Sequence, residues 1–232
     1  MITGQQIVND CRSTVIEPLP AFFSDARMLA LINKGQNSYV RLTKVLEAKA
    51  YSQTISDQAS YSLPEDFLSS LKVSFNNQQG GTDAWRSLAC YSIEKMSQEV
   101  PNFLSVDTNP NQMPDRFFIL EKQIYLYPTP TVAVANNLAM FYERMPAALN
   151  TLADPLSIDD SLVEGIVAYV LWQLFEQDNE DAKAAKWEDR WEKELGRGRT
   201  WKRQRTLDSR ASVDVESPWP TTYGGFNPLN LF

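Results

Sequence analysis

The chain has 232 residues, 43% apolar and 22% charged, the balance of an ordinary globular domain rather than a disordered one. Its formal net charge of −7 is unevenly placed: Arg197, Arg199, Lys202, Arg203, Arg205 and Arg210 face only Asp208 within residues 197–210, a local +5 that leaves −12 for the rest. An acidic body with one short basic run argues against a protein that grips duplex DNA over a whole face, and two cysteines, Cys11 and Cys90, exclude a disulfide scaffold and suit reduced thiols in a cytoplasm.

Thr3-Gly4-Gln5-Gln6 fits a capping box, and Ile7, Val8, Cys11 and Val15 follow at helical spacing, predicting a helix over 3–17 that Pro18 and Pro20 stop. Ser24 or Asp25 opens a second helix over 24–48, carrying Met28, Leu29, Leu31, Ile32, Tyr39, Val40, Leu42, Val45 and Leu46. From Tyr51 the period changes to two. Tyr51-Ser52-Gln53-Thr54-Ile55, Tyr61-Ser62-Leu63 and Leu71-Lys72-Val73-Ser74-Phe75 alternate as half-buried strands do. Residues 92–100 read as a short helix closed by Pro101. Residues 116–120 and 123–127 form a hairpin around Glu121-Lys122, and residues 138–142 make one more strand. The predicted β insert spans 51–143.

The strongest pattern comes next. Ile158-Asp159-Asp160-Ser161 supplies N-cap residue types, followed by Leu162, Val163, Ile166, Val167, Val170, Leu171, Leu174 and Phe175 on one broad stripe, a helix over 159–177. That stripe needs cover, and the first two helices are the natural source. At fourteen residues, with Glu164 and Gln173 inside it, the run 162–175 is too short to cross a bilayer. No charged-then-apolar signal pattern marks the N-terminus. Asp178 or Asn179 then caps a fourth helix over 179–203, whose narrower seam is Ala184, Trp187, Trp191 and Leu195. The fold class is α+β, mainly α: a helical bundle with a small antiparallel β insert. Residues 208–232 have no period and form an extended tail carrying Trp219, Tyr223, Phe226, Leu229, Leu231 and Phe232.

Nothing in the sequence assembles a catalytic, cofactor or metal site. Histidine is absent, which removes the commonest general base and metal ligand. Neither GxxxxGK[ST] nor GxSxG occurs, and Gly80-Gly81 and Gly196-Arg197-Gly198-Arg199 are not phosphate cradles. Glu188 and Glu192 lie four apart as metal-binding carboxylates do, but beside Arg190 and Lys193 they read as a solvated face. Cys90 lacks a base. Trp187 and Trp191 pack on a neighbouring helix or, as an alternative, on a neighbouring subunit. The basic run is a solvated helix end, a contact for an acidic partner, or, in a different class of function, the contact of a soluble nucleic-acid-binding or regulatory module using residues 197–210. The aromatic tail reads as a partner-docking segment, since disordered tails are poor in aromatics.

The order of these blocks carries a resemblance. Phe23-Ser24-Asp25-Ala26-Arg27-Met28-Leu29 and Leu31-Ile32-Asn33-Lys34-Gly35-Gln36 are followed by Tyr61-Ser62-Leu63-Pro64-Glu65-Asp66-Phe67. Then come Leu126-Tyr127-Pro128-Thr129-Pro130, the strand 138–142, Asp154-Pro155-Leu156, Tyr169-Val170-Leu171 and Gln177-Asp178. Over roughly residues 20–196 this series resembles the head-to-tail connector (adaptor) proteins of tailed bacteriophages, and Tyr223-Gly224-Gly225-Phe226-Asn227 is similar to tails of adaptors from short-tailed phages. The resemblance implies a structural, non-enzymatic virion protein without cofactors, assembled in the host cytoplasm and placed at the head–tail junction. It implies a ring, commonly of twelve copies, that joins the portal protein to a tail component (nozzle, stopper or tail tube protein) and lets genomic DNA pass without sequence-specific binding or any membrane contact. Residues 1–207 become the adaptor domain and 208–232 the docking tail. Arg197, Arg199, Lys202, Arg203, Arg205, Trp219, Tyr223, Phe226 and Phe232 are the expected portal-docking residues, with Trp187 and Trp191 for packing between subunits.

Overall fold

The computed structural model describes residues 1–15, 23–76, 85–100, 103, 113–131 and 133–214, and for 207–214 the backbone alone. The chain starts as the capping box requires. Thr3 N–H donates to Gln6 Oε1 (2.9 Å) and Gln6 N–H to Thr3 Oγ1 (3.4 Å), and helix α1 (Gly4–Val15) follows. Ser24 caps α2 (Asp25–Thr43) by accepting from the Arg27 amide. The predicted end at residue 48 is wrong. Lys44 takes a left-handed φ of 57° and returns its amide to the Val40 carbonyl, and the chain leaves as a strand. Val45 and Leu46 fit the helical stripe as well as a strand, and pairing with a distant partner decides between them.

That strand is β1 (Glu47–Thr54), followed by β2 (Ser60–Ser62), β3 (Phe67–Asn76), β4 (Trp85–Ser87) and β5 (Ala89–Cys90). Helix α3 (Ile93–Glu99) comes next, capped by Ser92, then β6 (Arg116–Leu120), β7 (Gln123–Tyr127) and β8 (Val134–Arg144). The β6–β7 hairpin turns where the sequence places it, with Glu121 and Lys122 both at positive φ. The strands form two four-stranded sheets, ordered β1-β8-β3-β4 and β2-β7-β6-β5. All neighbours are antiparallel except β5 and β6. Tyr61, Val73, Phe75, Phe117, Ile124, Leu126, Leu138, Met140 and Tyr142 share one apolar cluster, so the two sheets enclose a core of their own.

A 3-10 turn (Asp160–Leu162), capped by Asp159, leads into α4 (Val163–Gln177). Ten of its fifteen residues are buried, more than one stripe accounts for, because α4 is the central helix of the second core. Ile7, Val8 and Cys11 of α1, with Met28, Ile32, Tyr39 and Val40 of α2, belong to that same cluster and supply the predicted cover. Neither Asp178 nor Asn179 caps the next helix. Asn179 adopts φ 57° to close α4, and α5 (Asp181–Asp214) begins two residues later. It also runs past the predicted end at 203, since no glycine or proline interrupts residues 199–214. The backbone is therefore helical through the first seven residues of the expected tail, and 215–232 lie outside the described residues. Five α-helices and two small sheets among the described residues make the chain a mixed α+β protein.

The resemblance block Asn33–Gln36 acquires a purpose here. The Asn33 carboxamide pairs with both backbone groups of Leu149 (2.8 and 2.9 Å), while Gln36 donates to Asn33 Oδ1 and to the Ala147 carbonyl. These bonds fasten the segment after β8 onto α2 and connect the two cores.

Candidate functional site

The long helix α5 presents the basic run, and its position is set by close contact with α2. At Gly198 a Cβ would lie 2.4 Å from Tyr39 Oη and 3.0 Å from Thr43 Cγ2, so only glycine allows this approach. Tyr39 Oη donates to the Glu194 carbonyl (3.1 Å), and its ring meets Trp191 at 5.7 Å. Burial pushes the Tyr39 hydroxyl up to about 12, with Glu194 adding to the shift and Arg197 opposing it. The hydroxyl stays protonated as a donor.

One turn further on, Lys202 reaches the sheet. Its ammonium donates to Glu143 Oε1 on β8, while Lys44 Nζ stands 3.0 Å from Oε2 and the Ser69 hydroxyl donates to the same oxygen. Glu143 is 4% exposed. Burial pulls its carboxyl upward, but the bonds from Lys202, Ser69 and Lys44 together outweigh that, and it ionises below the ordinary range. Two cations and a hydroxyl on one buried carboxylate tie α2, β3, β8 and α5 at a single point.

The predicted docking residues therefore divide. Lys202 makes its ion pair within the subunit, on Glu143. Arg197 pairs with Glu194 at 3.5 Å and remains mostly exposed, and Arg199 Nε donates to the Leu42 carbonyl (3.4 Å). Arg203 is exposed with no ion pair among the described residues. The Arg205 guanidinium sits over the Trp201 ring at 5.4 Å. Beside this pair lies a groove of about 340 Å³ lined by Val45, Leu46, Leu156, Asp159 and Asp160. Arg199 and Arg203, four apart, share one side of α5. Trp219, Tyr223, Phe226 and Phe232 lie outside the described residues.

The two tryptophans also part company. Trp191 is 4% exposed, enclosed by Tyr39 and Tyr169 in its own subunit's core, the neighbouring-helix packing that the sequence also allows. Trp187 is half-buried, with the Arg190 guanidinium 5.5 Å from its ring.

Glu188 and Glu192 are exposed, and no group of three or more potential metal-ligating side chains gathers among the described residues. Burial raises the Cys90 thiol and pushes Cys11 up to about 12, so neither is an activated thiolate. No helix among the described residues is long and apolar enough to cross a membrane. Sequence reasoning missed the Glu143 cluster because its members are far apart in the chain. It also dismissed Gly198, although a glycine on the buried seam of a helix is a legible sign of close packing.

The family model described as SU10 adaptor protein matches residues 2–216, from α1 to just beyond the end of α5. The chain belongs to the SU10 adaptor protein family. It is thus a bacteriophage adaptor, and the family implies a virion place at the head–tail junction with partners on the portal and tail sides. No curated protein matches it. The match includes the N-terminal helix and the basic part of α5, beyond the span that the sequence resemblance covers.

Proposed function

We propose that this adaptor is a structural, non-enzymatic virion protein whose copies form a ring of twelve beneath the portal, join it to a tail component and line the DNA exit channel. The observation that carries the reading is the family match over residues 2–216, which takes in the whole described fold. In this reading the four helices of the α4-centred core form the subunit's bundle, with the two-sheet part as an insert. The acidic body supports a conduit that does not retain its cargo, because few phosphate contacts give little grip. Arg197, Arg199, Arg203 and Arg205 project from the last described part of α5 and meet acidic groups of the portal. Residues 208–232 continue from there as the docking segment. Trp187 remains available at the surface for a neighbouring subunit.

The test is to mix the purified chain with its portal and measure mass and symmetry by native mass spectrometry and electron microscopy. A closed ring on the portal supports the proposal. Salt-dependent binding of the isolated chain to DNA, with no portal complex, would replace it by the nucleic-acid-binding alternative.

A further inference from the structure

The outer face of the sheet β1-β8-β3-β4, past the end where Glu143 receives Lys202 of α5, carries an exposed aromatic and cationic patch. Tyr51 and Ser74 both pair in register with Ala139, and Asn76 pairs with Trp85. Ala139 and Ser74 are small and buried, and over them the rings of Tyr51 and Trp85 meet at 6.1 Å, remaining 49% and 43% exposed. In the adjacent row Lys49 and Lys72 flank Phe141, and Lys49 Nζ lies 4.3 Å from the Tyr51 ring centroid and 5.0 Å from that of Phe141. A flat face with Tyr and Trp at its middle and lysines beside them has the make-up of an interface centre.

The complementary feature lies at the other end of the molecule. Around the junction of α4 and α5, Glu176, Asp178, Glu180 and Asp181 stand within six residues, with Glu180 paired to Lys183, and Trp187 follows on α5. From Asp181 to Lys202, where α5 meets the Glu143 end of the sheet, the helix covers about 31 Å. The acidic turn and the aromatic face are held apart by that rod and do not meet within one chain. Two unlike, complementary patches on one subunit make a heterologous contact, the kind that closes rings.

We propose that the Tyr51/Trp85 sheet face, with Lys49 and Lys72, docks the acidic α4–α5 turn of a second copy of this chain. The inference rests on the ring reading and names the surfaces that build the ring. Two charge pairs and two aromatic anchors per contact, repeated around the ring, set the cooperativity of assembly.

The experiment assembles the full-length chain on its portal and counts copies by native mass spectrometry for wild type, Lys49→Glu/Lys72→Glu, Asp178→Lys/Asp181→Lys and the combined quadruple variant. All four positions are on the surface, and melting curves check that folding is retained. Each double variant should need about tenfold more protein to fill the ring and leave partly occupied portals, with the quadruple variant recovering wild-type filling. Carbodiimide cross-linking of wild-type rings should join Lys49 or Lys72 to residues 176–181 of another copy. Wild-type rings whose double variants fill normally would overturn this inference and leave the ring reading standing. A wild-type chain that forms no ring would overturn both. Double variants that lose attachment of even single copies would assign the face to the portal, and loss of single-stranded DNA binding would assign it to nucleic acid; each replaces the proposal.

Discussion

Two glycines two positions apart on α5 should respond to alanine with opposite signs. At Gly196 an added Cβ meets nothing within 4 Å, so Gly196→Ala only removes glycine's helix penalty and should stabilise by up to about 1 kcal/mol. At Gly198 the same methyl would stand 2.4 Å from Tyr39 Oη. Tyr39 has nowhere to swing: its ring is fully buried, packs on Trp191, and already lies where a Cβ at Gly165 would be 2.5 Å away. Overpacking costs about 1–3 kcal/mol, and displacing Tyr39 from the Glu194 carbonyl adds about 1 kcal/mol. Against the same propensity gain, Gly198→Ala should be net destabilising by about 1–3 kcal/mol, or roughly 2–4 °C in Tm per kcal/mol at this size. Urea unfolding followed by tryptophan fluorescence measures both variants side by side. If both substitutions stabilise to the same extent, α5 does not approach α2 at Gly198, and the placement of the basic run fails with it.

Leu171, fully buried in α4, should cost about 2–5 kcal/mol as Leu171→Ala, and Leu171→Asp should abolish the cooperative melt altogether. The Glu143 carboxyl ionises below the ordinary glutamate value of 4.5, so its contribution to stability is complete above that pH and is lost as pH falls through its own lower pKa. Lys202→Met removes one cation, should cost about 2 kcal/mol near neutral pH, and should move the onset of acid unfolding to higher pH, read by circular dichroism against pH. Native thiol titration should find Cys90 reacting and Cys11 silent until denaturant is added. Deleting residues 208–232 should leave the melt of the body nearly unchanged while abolishing portal attachment, measured on the same protein by calorimetry and co-sedimentation.

Local chemistry made much of the fold legible. The Thr3/Gln6 box, the start of α2 at Ser24-Asp25, the short helix after Ser92 and the turn at Glu121-Lys122 are each settled within a few residues, and all stand where the sequence places them. The stripe in α4 announced a buried helix because few other arrangements hide so many apolar side chains. Boundaries decided by distant partners were not legible. Leu46 lies where it does because the Arg144 amide bonds its carbonyl, and residues 47–54 pair with β8, nearly a hundred positions away. The site divided along the same line. Arg197 and Arg203 look alike in sequence to Lys202, yet only Lys202 lies one turn after Gly198 with a buried carboxylate across from it. Trp187 and Trp191 share a seam, but the angle at which α5 crosses Tyr39 and Tyr169 sends only Trp191 inside.

The grip on α5 has a mechanical consequence. At 34 residues it is a rod about 51 Å long, seated on the α4-centred core through Ala184, Trp191 and Leu195 and held last by two contacts one turn apart, Gly198 against Tyr39 and Lys202 against Glu143. A load applied beyond Lys202 acts first as torque on those last two contacts. One is a close fit without slack on Tyr39, a member of the α4-centred core, and the other a buried ionic knot on β8, so a load on the helix end divides between that core and the sheet.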